Sequence, residues 1–258
     1  MHIEMAPYNP AWPSQFDLIK ADLTADLASA SLPLTAIEHI GSTSIPTLPS
    51  KPILDILIII PQERFTDHGL QAYCDALAWA PCQPGYRYIG TGGVRDRWSF
   101  KLNGIEPRRN VYVAAEGSLP VRSCLAFRDL LRREQYAALR EEYARVKRGL
   151  CEGGREWGDV MQYSRGKDAI VRKVLEEAGW SGSMVNEKER ACVGGWEELE
   201  VVDLEERWWQ RVVGSFLAVG RRAWGLVMVM GWWRGIWQRR AMDKLEREIC
   251  EEESEEGW

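Results

Sequence analysis

The chain has 258 residues, enough for one full core plus an appendage, and its 45% hydrophobic and 28% charged content is that of a soluble globular protein. A net charge of −5 excludes a global basic signature for nucleic acid or an anionic membrane. The six cysteines form no C-x-x-C pair, and MHIEMAPYNP lacks the layout of a secretory signal, so reduced thiols in a cytoplasmic protein are expected. The three histidines (His2, His39, His68) are too scattered for a metal site built from neighbouring positions.

Trp12, Phe16, Ile19, Leu23 and Leu27 recur at helical spacing and predict an amphipathic helix over 13–29, with proline in its first turn. Residues 34–40 and 53–60 read as strands, the second apolar at nearly every position, as in a strand buried on both faces. A helix over 62–79 follows, then short strands over 86–89, 97–102 and 110–114, separated by glycine turns and Pro107. Helices are predicted over 121–133, 135–152 and 157–178, with Gly179 as a stop. The pattern is an α+β (α/β) design, a small mixed β-sheet flanked by helices with a helical C-terminal half.

Composition divides the chain into residues 1–181 and a tail, 182–258. The first part carries 22 residues of each charge; the tail holds 11 Lys+Arg, 16 Asp+Glu and eight of the 13 tryptophans. A helical extension that contacts a partner or a membrane surface is one reading of the tail, and translated non-coding sequence another. Its longest apolar run, 223–233, is too short to span a bilayer, and no transmembrane segment is expected.

The most informative segment is IEHIGSTSIPTLPSKPILDILIII, residues 37–60. A strand runs into a Gly-Ser turn, a rigid loop carries Lys51, and a second strand carries one carboxylate, Asp55. Backbone amides and hydroxyls of such a turn (Gly41, Ser42, Thr43, Ser44) can hold phosphates, and a facing carboxylate can hold a divalent metal. A hydroxyl-capped turn is the alternative for the three hydroxyls, and a solvated side chain for Lys51. A lone strand carboxylate is costly without a cation, so Asp55 points to a metal or to a salt bridge with Arg95 or Arg128. His39 is expected at the pocket edge or as a structural histidine, and Glu38 as a substitute ligand or a salt-bridge partner.

Several elements together resemble the GrpB family, which has a nucleotidyltransferase-like fold: YNPAWPSQF, IEHIGSTSIPTLPSKPILDI, Gly85-Tyr86, RDRWSFK (Arg95 to Lys101), FRDLLR (Phe127 to Arg132), Tyr143 with Lys147, and MQYSRGKDAIVRKVL (Met161 to Leu175). The resemblance covers about residues 8–180. It implies a pocket for a nucleotide or other phosphorylated small molecule, with Mg²⁺ at Asp55. In that superfamily two carboxylates at alternate strand positions hold the metals, because residues i and i+2 share a face. Here the second position is Leu57, and Asn110-Val111-Tyr112-Val113 stands where relatives commonly have His-x-His-x. These departures put nucleotidyl transfer in question more than binding.

The resemblance also directs attention to basic residues around the sheet. Arg95 and Lys101 frame one strand. Arg128 and Arg132, four apart on one helix, suit an anion grip or ordinary surface ion pairs, and Tyr143/Lys147 and Tyr163/Lys167 repeat that spacing. The cationic positions on these three consecutive helices suggest one positive wall opposite Asp55, and Asn110 and Tyr112 could still hydrogen-bond a ligand. Two functions follow: a nucleotide-binding protein capable of nucleotidyl or phosphoryl transfer, or a ligand-binding or scaffolding module that kept the pocket and lost the metal cage.

Overall fold

A computed structural model describes residues 5–102, 104–151 and 160–192. Helix α1 (Trp12–Ser29) buries Trp12, Phe16, Ile19, Leu23 and Leu27 along one face, as their spacing requires. Strands β1 (Ala36–Ile40) and β2 (Leu54–Ile60) pair antiparallel, joined by a 3₁₀ turn at Ser42–Ser44 and an extended loop. After α2 (Asp67–Ala78) come β3 (Arg87–Tyr88), β4 (Arg97–Leu102) and β5 (Arg109–Ala115). The sheet order is β1-β2-β5-β4-β3, antiparallel except for the β2–β5 pair.

Alternation gives the sheet two faces. On one face His39 stacks on Phe16 of α1, and Trp98 of β4 lies against Phe65 and Tyr73. On the other, Ile40, Leu57, Ile59 and Ala114 pack against Val121 of α3 (Leu119–Arg132). A helical layer follows: α4 (Ala137–Cys151), α5 (Val160–Arg165) and α6 (Asp168–Glu177). Ile45 and Leu48 of the β1–β2 loop are buried between α3, α4 and α6, so the loop is part of the core.

Three expectations shift. The helix predicted over 62–79 begins at Asp67, because the Thr66 hydroxyl caps it by accepting from the Gly69 amide at 3.1 Å. The helix predicted over 157–178 is two, broken at Gly166-Lys167, where a Cβ on Gly166 would come within 2.7 Å of Leu150; residues 157–159 lie outside the described residues. Beyond residue 181 the chain forms α7 (Gly182–Ala191), capped by Ser181, whose Val185 is buried with Leu175 and Trp180. The remaining tail, 193–258, with its partner or membrane contact, lies outside the described residues. Among the described residues no helix is long and apolar enough to cross a membrane.

Leu57 is 1% exposed inside the apolar layer under α3. Leu57→Asp, which restores the alternating carboxylate pair, places a charge among Ile40, Ile59 and Val121. Urea denaturation at neutral pH should show a loss of about 3 kcal/mol or more; a near-neutral effect would mean that the position opens to the cleft.

Candidate functional site

The site grows from the β1–β2 register, which sets Ile40 opposite Asp55 and brings the following Gly41 onto the carboxylate. Gly41 has φ +68°, and a Cβ there would lie 2.3 Å from Asp55 Oδ2, so only glycine fits. The turn then spends most of its hydroxyls on itself. Ser44 Oγ donates to the Gly41 carbonyl at 2.7 Å. Thr43 Oγ1 donates to the Ile53 carbonyl at 3.3 Å and is 3.0 Å from His39 Nε2, whose N–H it accepts. Ser42 alone turns towards the helical layer, where its Oγ is 3.5 Å from the Tyr143 hydroxyl.

Asp55 is half-buried, and its Oδ1 accepts from Asn110 Nδ2 at 2.9 Å and from the Tyr112 hydroxyl at 3.3 Å. Both donors come from β5, where Asn110 is the register partner of Asp55 and Tyr112 points to the same face. Burial raises the Asp55 pKa, opposed by those two donors and by the charges of Lys167 and Arg97. Burial drives the Tyr112 hydroxyl far upward, with the Asp55 charge adding to it, so Tyr112 is a donor at any physiological pH.

Two lysines share one aromatic ring beside this carboxylate. Lys51 Nζ lies 4.4 Å and Lys167 Nζ 4.5 Å from the Tyr163 ring centroid. Neither ammonium has a carboxylate or carbonyl within hydrogen-bonding distance among the described residues, and both are half-buried. Burial lowers both pKa values; the Lys167 charge adds to the lowering at Lys51, and Asp55 opposes it at each. Lys167 reaches this position because the α5–α6 break makes it the residue preceding α6.

Other predicted ligands prove structural. His39, one residue off the Ile40–Asp55 pair, faces the opposite layer from Asp55 and stacks on Phe16 at 4.9 Å. Burial, with help from Arg132 and Arg128, lowers its pKa to about 4. Glu38 is on the Asp55 face, yet it pairs with Arg128 Nη1 at 2.6 Å. Arg128 also donates to the His39 carbonyl and to Asp129, and Arg132 Nε donates to the Ser44 carbonyl at 2.9 Å. These arginines clamp the strand and turn instead of gripping an anion, because α3 lies directly over the end of β1. Lys147 is 2% exposed and donates to the Pro49 carbonyl at 2.6 Å and to Ser50 Oγ at 3.3 Å. Burial first, and the neighbouring Lys167 charge second, bring its pKa down to about 7; it anchors the loop that carries Lys51.

Arg95 is exposed in the loop before β4, where its backbone N–H donates to the Ala191 carbonyl of α7 at 2.9 Å. Lys101 is exposed on the Asp55 face beside Asn110, at the cleft margin. Two residues escaped sequence reasoning. Arg97, within RDRWSFK, stacks its guanidinium 4.3 Å from the Tyr112 ring centroid and donates to the Thr91 and Gly92 carbonyls. Its i, i+2 relation to Ser99 and Lys101 was the available signal. Lys188 of α7, half-buried, adds its charge to Lys167 and Tyr143. It was missed because the composition break at residue 181 placed it in the tail.

Mg²⁺ does not fit these residues. Asp55 Oδ1 already takes two donors, Oδ2 lies against Gly41, and Leu57 is core. Among the described residues no group of three His, Cys, Asp or Glu side chains could hold a metal ion. The charged neighbours of Asp55 are cationic, the inverse of a metal cage. A separate shallow depression lined by Phe65, Glu116, Ser118 and Arg122 sits at the far end of β5, roughly 17 Å along the strands, and contributes nothing to this cleft.

The fold and site thus define a small mixed α/β protein whose strand–turn–strand motif sets one serine and one carboxylate against a wall of lysines. The chain belongs to the GrpB family: the family model described as GrpB protein matches residues 2–177. It is 32% identical over 179 residues to the UPF0157 protein BH1888 of Halalkalibacterium halodurans, covering 68% of this chain and 82% of that one. It is 33% identical over 179 residues to the UPF0157 protein PA4798 of Pseudomonas aeruginosa, covering 68% and 67%. The crystal structure of the conserved protein GrpB from Enterococcus faecalis superposes with a TM-score of 0.53 at 28% identity, covering 68% of this chain and 96% of that chain.

The His39 pKa gives a pH dependence of defined sign. Its folded value, about 4, lies below the ordinary 6.5, so between these limits the unfolded chain binds the extra proton. Stability therefore falls as pH drops from 6.5 to 4, by up to about 3 kcal/mol from this group. Denaturation midpoints at pH 7, 5.5 and 4.5 should show the loss, and His39→Gln should flatten it; an equal loss in the variant would assign it to other groups.

Proposed function

We propose that the cleft binds a phosphorylated small molecule, nucleotides included, and that it does so without a protein-bound divalent metal. The observation that carries this reading is the pair of half-buried ammoniums, Lys51 and Lys167, which both lie over the Tyr163 ring near Asp55 and have no protein oxygen within hydrogen-bonding distance among the described residues. Desolvated cations are costly to keep, and a phosphate supplies several acceptor oxygens at once. Ser42 adds a hydroxyl donor, and Lys147 holds the loop so that Lys51 is in place before ligand arrives.

The same geometry favours a binding module over a two-metal nucleotidyltransferase. In-line phosphoryl transfer rests on positioning plus cationic charge at the transferred group. The lysines offer the charge, whereas the second carboxylate position is filled by Leu57 and the third-strand positions by Asn110 and Tyr112, both engaged with Asp55. Asp55 thus serves as an acceptor that fixes the β5 donors and balances Lys167.

Thermal unfolding tests this directly. ATP, GTP or CTP at about 100 times its Kd should raise the midpoint by roughly 5–10 °C in EDTA and to the same extent with Mg²⁺. Lys51→Met and Lys167→Met should each remove most of the shift while leaving the unliganded midpoint unchanged or higher, since each removes a desolvated charge. No shift with any nucleotide defeats the reading. A shift that needs Mg²⁺ and disappears in Asp55→Asn would restore the metal-dependent alternative.

A further inference from the structure

The loop that carries Lys51 is anchored in two different ways along its length. Its first half is held by apolar burial, with Ile45 and Leu48 inside the core formed with α3, α4 and α6. Its second half, residues 49–53, has no buried apolar side chain, so its position rests on hydrogen bonds. Those bonds meet at Ser50, which is 1% exposed. Its main chain forms an antiparallel bridge with Ala6: the Ser50 N–H donates to the Ala6 carbonyl and the Ala6 N–H to the Ser50 carbonyl, both at 2.9 Å. The Ser50 hydroxyl donates to the Leu48 carbonyl at 3.1 Å and accepts from Lys147 at 3.3 Å. On the far side of Lys51, the Ile53 N–H closes a tight turn around Pro52 onto the Lys51 carbonyl at 2.7 Å. Lys51 therefore has fixed backbone on both sides.

Ala6 is itself tethered to the core. Trp12, which opens α1, is 4% exposed. Between Ala6 and Trp12 the chain is restricted by Pro7 and Pro10. The Asn9 side-chain oxygen accepts from the Ala11 amide at 2.9 Å, and the Asn9 carbonyl accepts from the Trp12 amide at 3.1 Å. Tyr8 packs edge-on against Trp12, with ring centroids 5.4 Å apart. Residues 6–11 thus form a short strap, fixed to α1 at one end and to the Lys51 loop at the other. The groups whose charge reaches Lys51 are Lys167, Cys151, Asp55 and Arg108, and none of them belongs to the strap.

Resting on the phosphate reading of the cleft, we infer that Ala6 and Ser50 are positioning residues: the strap holds Ser50, and Ser50 holds Lys51 over the Tyr163 ring, where an anion meets it together with Lys167. The N-terminal segment is then a working part of the site, although it offers the ligand no side chain. Lys51 and Lys167 share one aromatic ring, and their like charges repel. With the bridge to Ala6 open, residues 49–53 keep only the Lys147 and Leu48 contacts on the Ser50 side, and Lys51 moves out towards water. The bridge keeps the two cations together before a ligand arrives.

Ala6→Pro in the full chain tests the inference, because proline lacks the N–H that donates to Ser50 and its ring occupies that space. Ala6→Val keeps the N–H, favours extended backbone and is the conservative control. Residue 6 lies outside the helices and the five-stranded sheet, so both variants keep the fold. Trace acetylation of the ligand-free proteins across pH, read by peptide mass spectrometry, reports each lysine separately. Burial, with the Lys167 charge second, lowers the Lys51 pKa. In Ala6→Pro the Lys51 acetylation midpoint should move up towards that of an ordinary lysine, with Lys167 changing less and Ala6→Val matching the wild type. Isothermal titration with ATP in EDTA should then show affinity at least about fivefold weaker in Ala6→Pro and unchanged in Ala6→Val. If the wild type binds ATP but the Lys51 midpoint stays put in Ala6→Pro, or moves without a loss of affinity, the positioning role is refuted while the phosphate site stands. Equal changes in Ala6→Val would also refute it, assigning the effect to the side chain. If the wild type binds no ATP, the inference falls together with the reading beneath it.

Discussion

The contact between Gly41 and the Asp55 carboxylate fixes everything else in the cleft. Antiparallel pairing of β1 and β2 places Ile40 opposite Asp55, so the next residue must cross directly over the carboxylate. A left-handed glycine achieves this, and the chain then folds into the Ser42–Ser44 turn with Thr43 and Ser44 tied back to the backbone. From the other side, Asn110 and Tyr112 hold Asp55 through the parallel β2–β5 pair. Arg128 and Arg132 then lock the outer side of the same strand and turn from α3. The carboxylate is thus held between the turn after β1 and two donors of β5, while α3 fixes the turn itself.

The electrostatics around that carboxylate run opposite to those of a metal site. Lys51, Lys147, Lys167 and Lys188 belong to four different elements, yet their charges are coupled, and burial lowers the pKa of the first three. Lys147 is satisfied by a carbonyl and a hydroxyl, which makes it an anchor. The other three have no oxygen partner among the described residues. Keeping Lys51 and Lys167 partly desolvated beside one aspartate opposes folding; on the phosphate reading proposed above, a bound anion offsets that cost.

Much of this was legible in the sequence. The apolar run from Leu54 to Ile60 announced a central strand, the Gly-Ser turn announced its own geometry, and Asp55 stood out as the one charge in that strand. The family resemblance named the same residues, and Lys167 was found through it. The errors have physical causes. His39 takes its structural alternative and not the pocket edge, because register with β2, invisible in one strand, decides which side it takes. For Arg128 and Arg132 the anion grip and the ion pair stayed equally open, because helical spacing shows a shared face without showing what lies beneath it. Lys188 was set aside because the tryptophan-rich composition begins near it, although α7 docks on the core beyond that boundary.

The most direct test of a cationic, metal-independent site is a crystal structure of the full chain grown with pyrophosphate and Mg²⁺ together. Phosphoryl oxygens within hydrogen-bonding distance of Lys51 and Lys167 Nζ, with the Asp55 carboxylate still bonded to Asn110 and Tyr112, are expected. A magnesium ion coordinated by Asp55 and bridging to the pyrophosphate, or pyrophosphate bound away from this cleft, would contradict it.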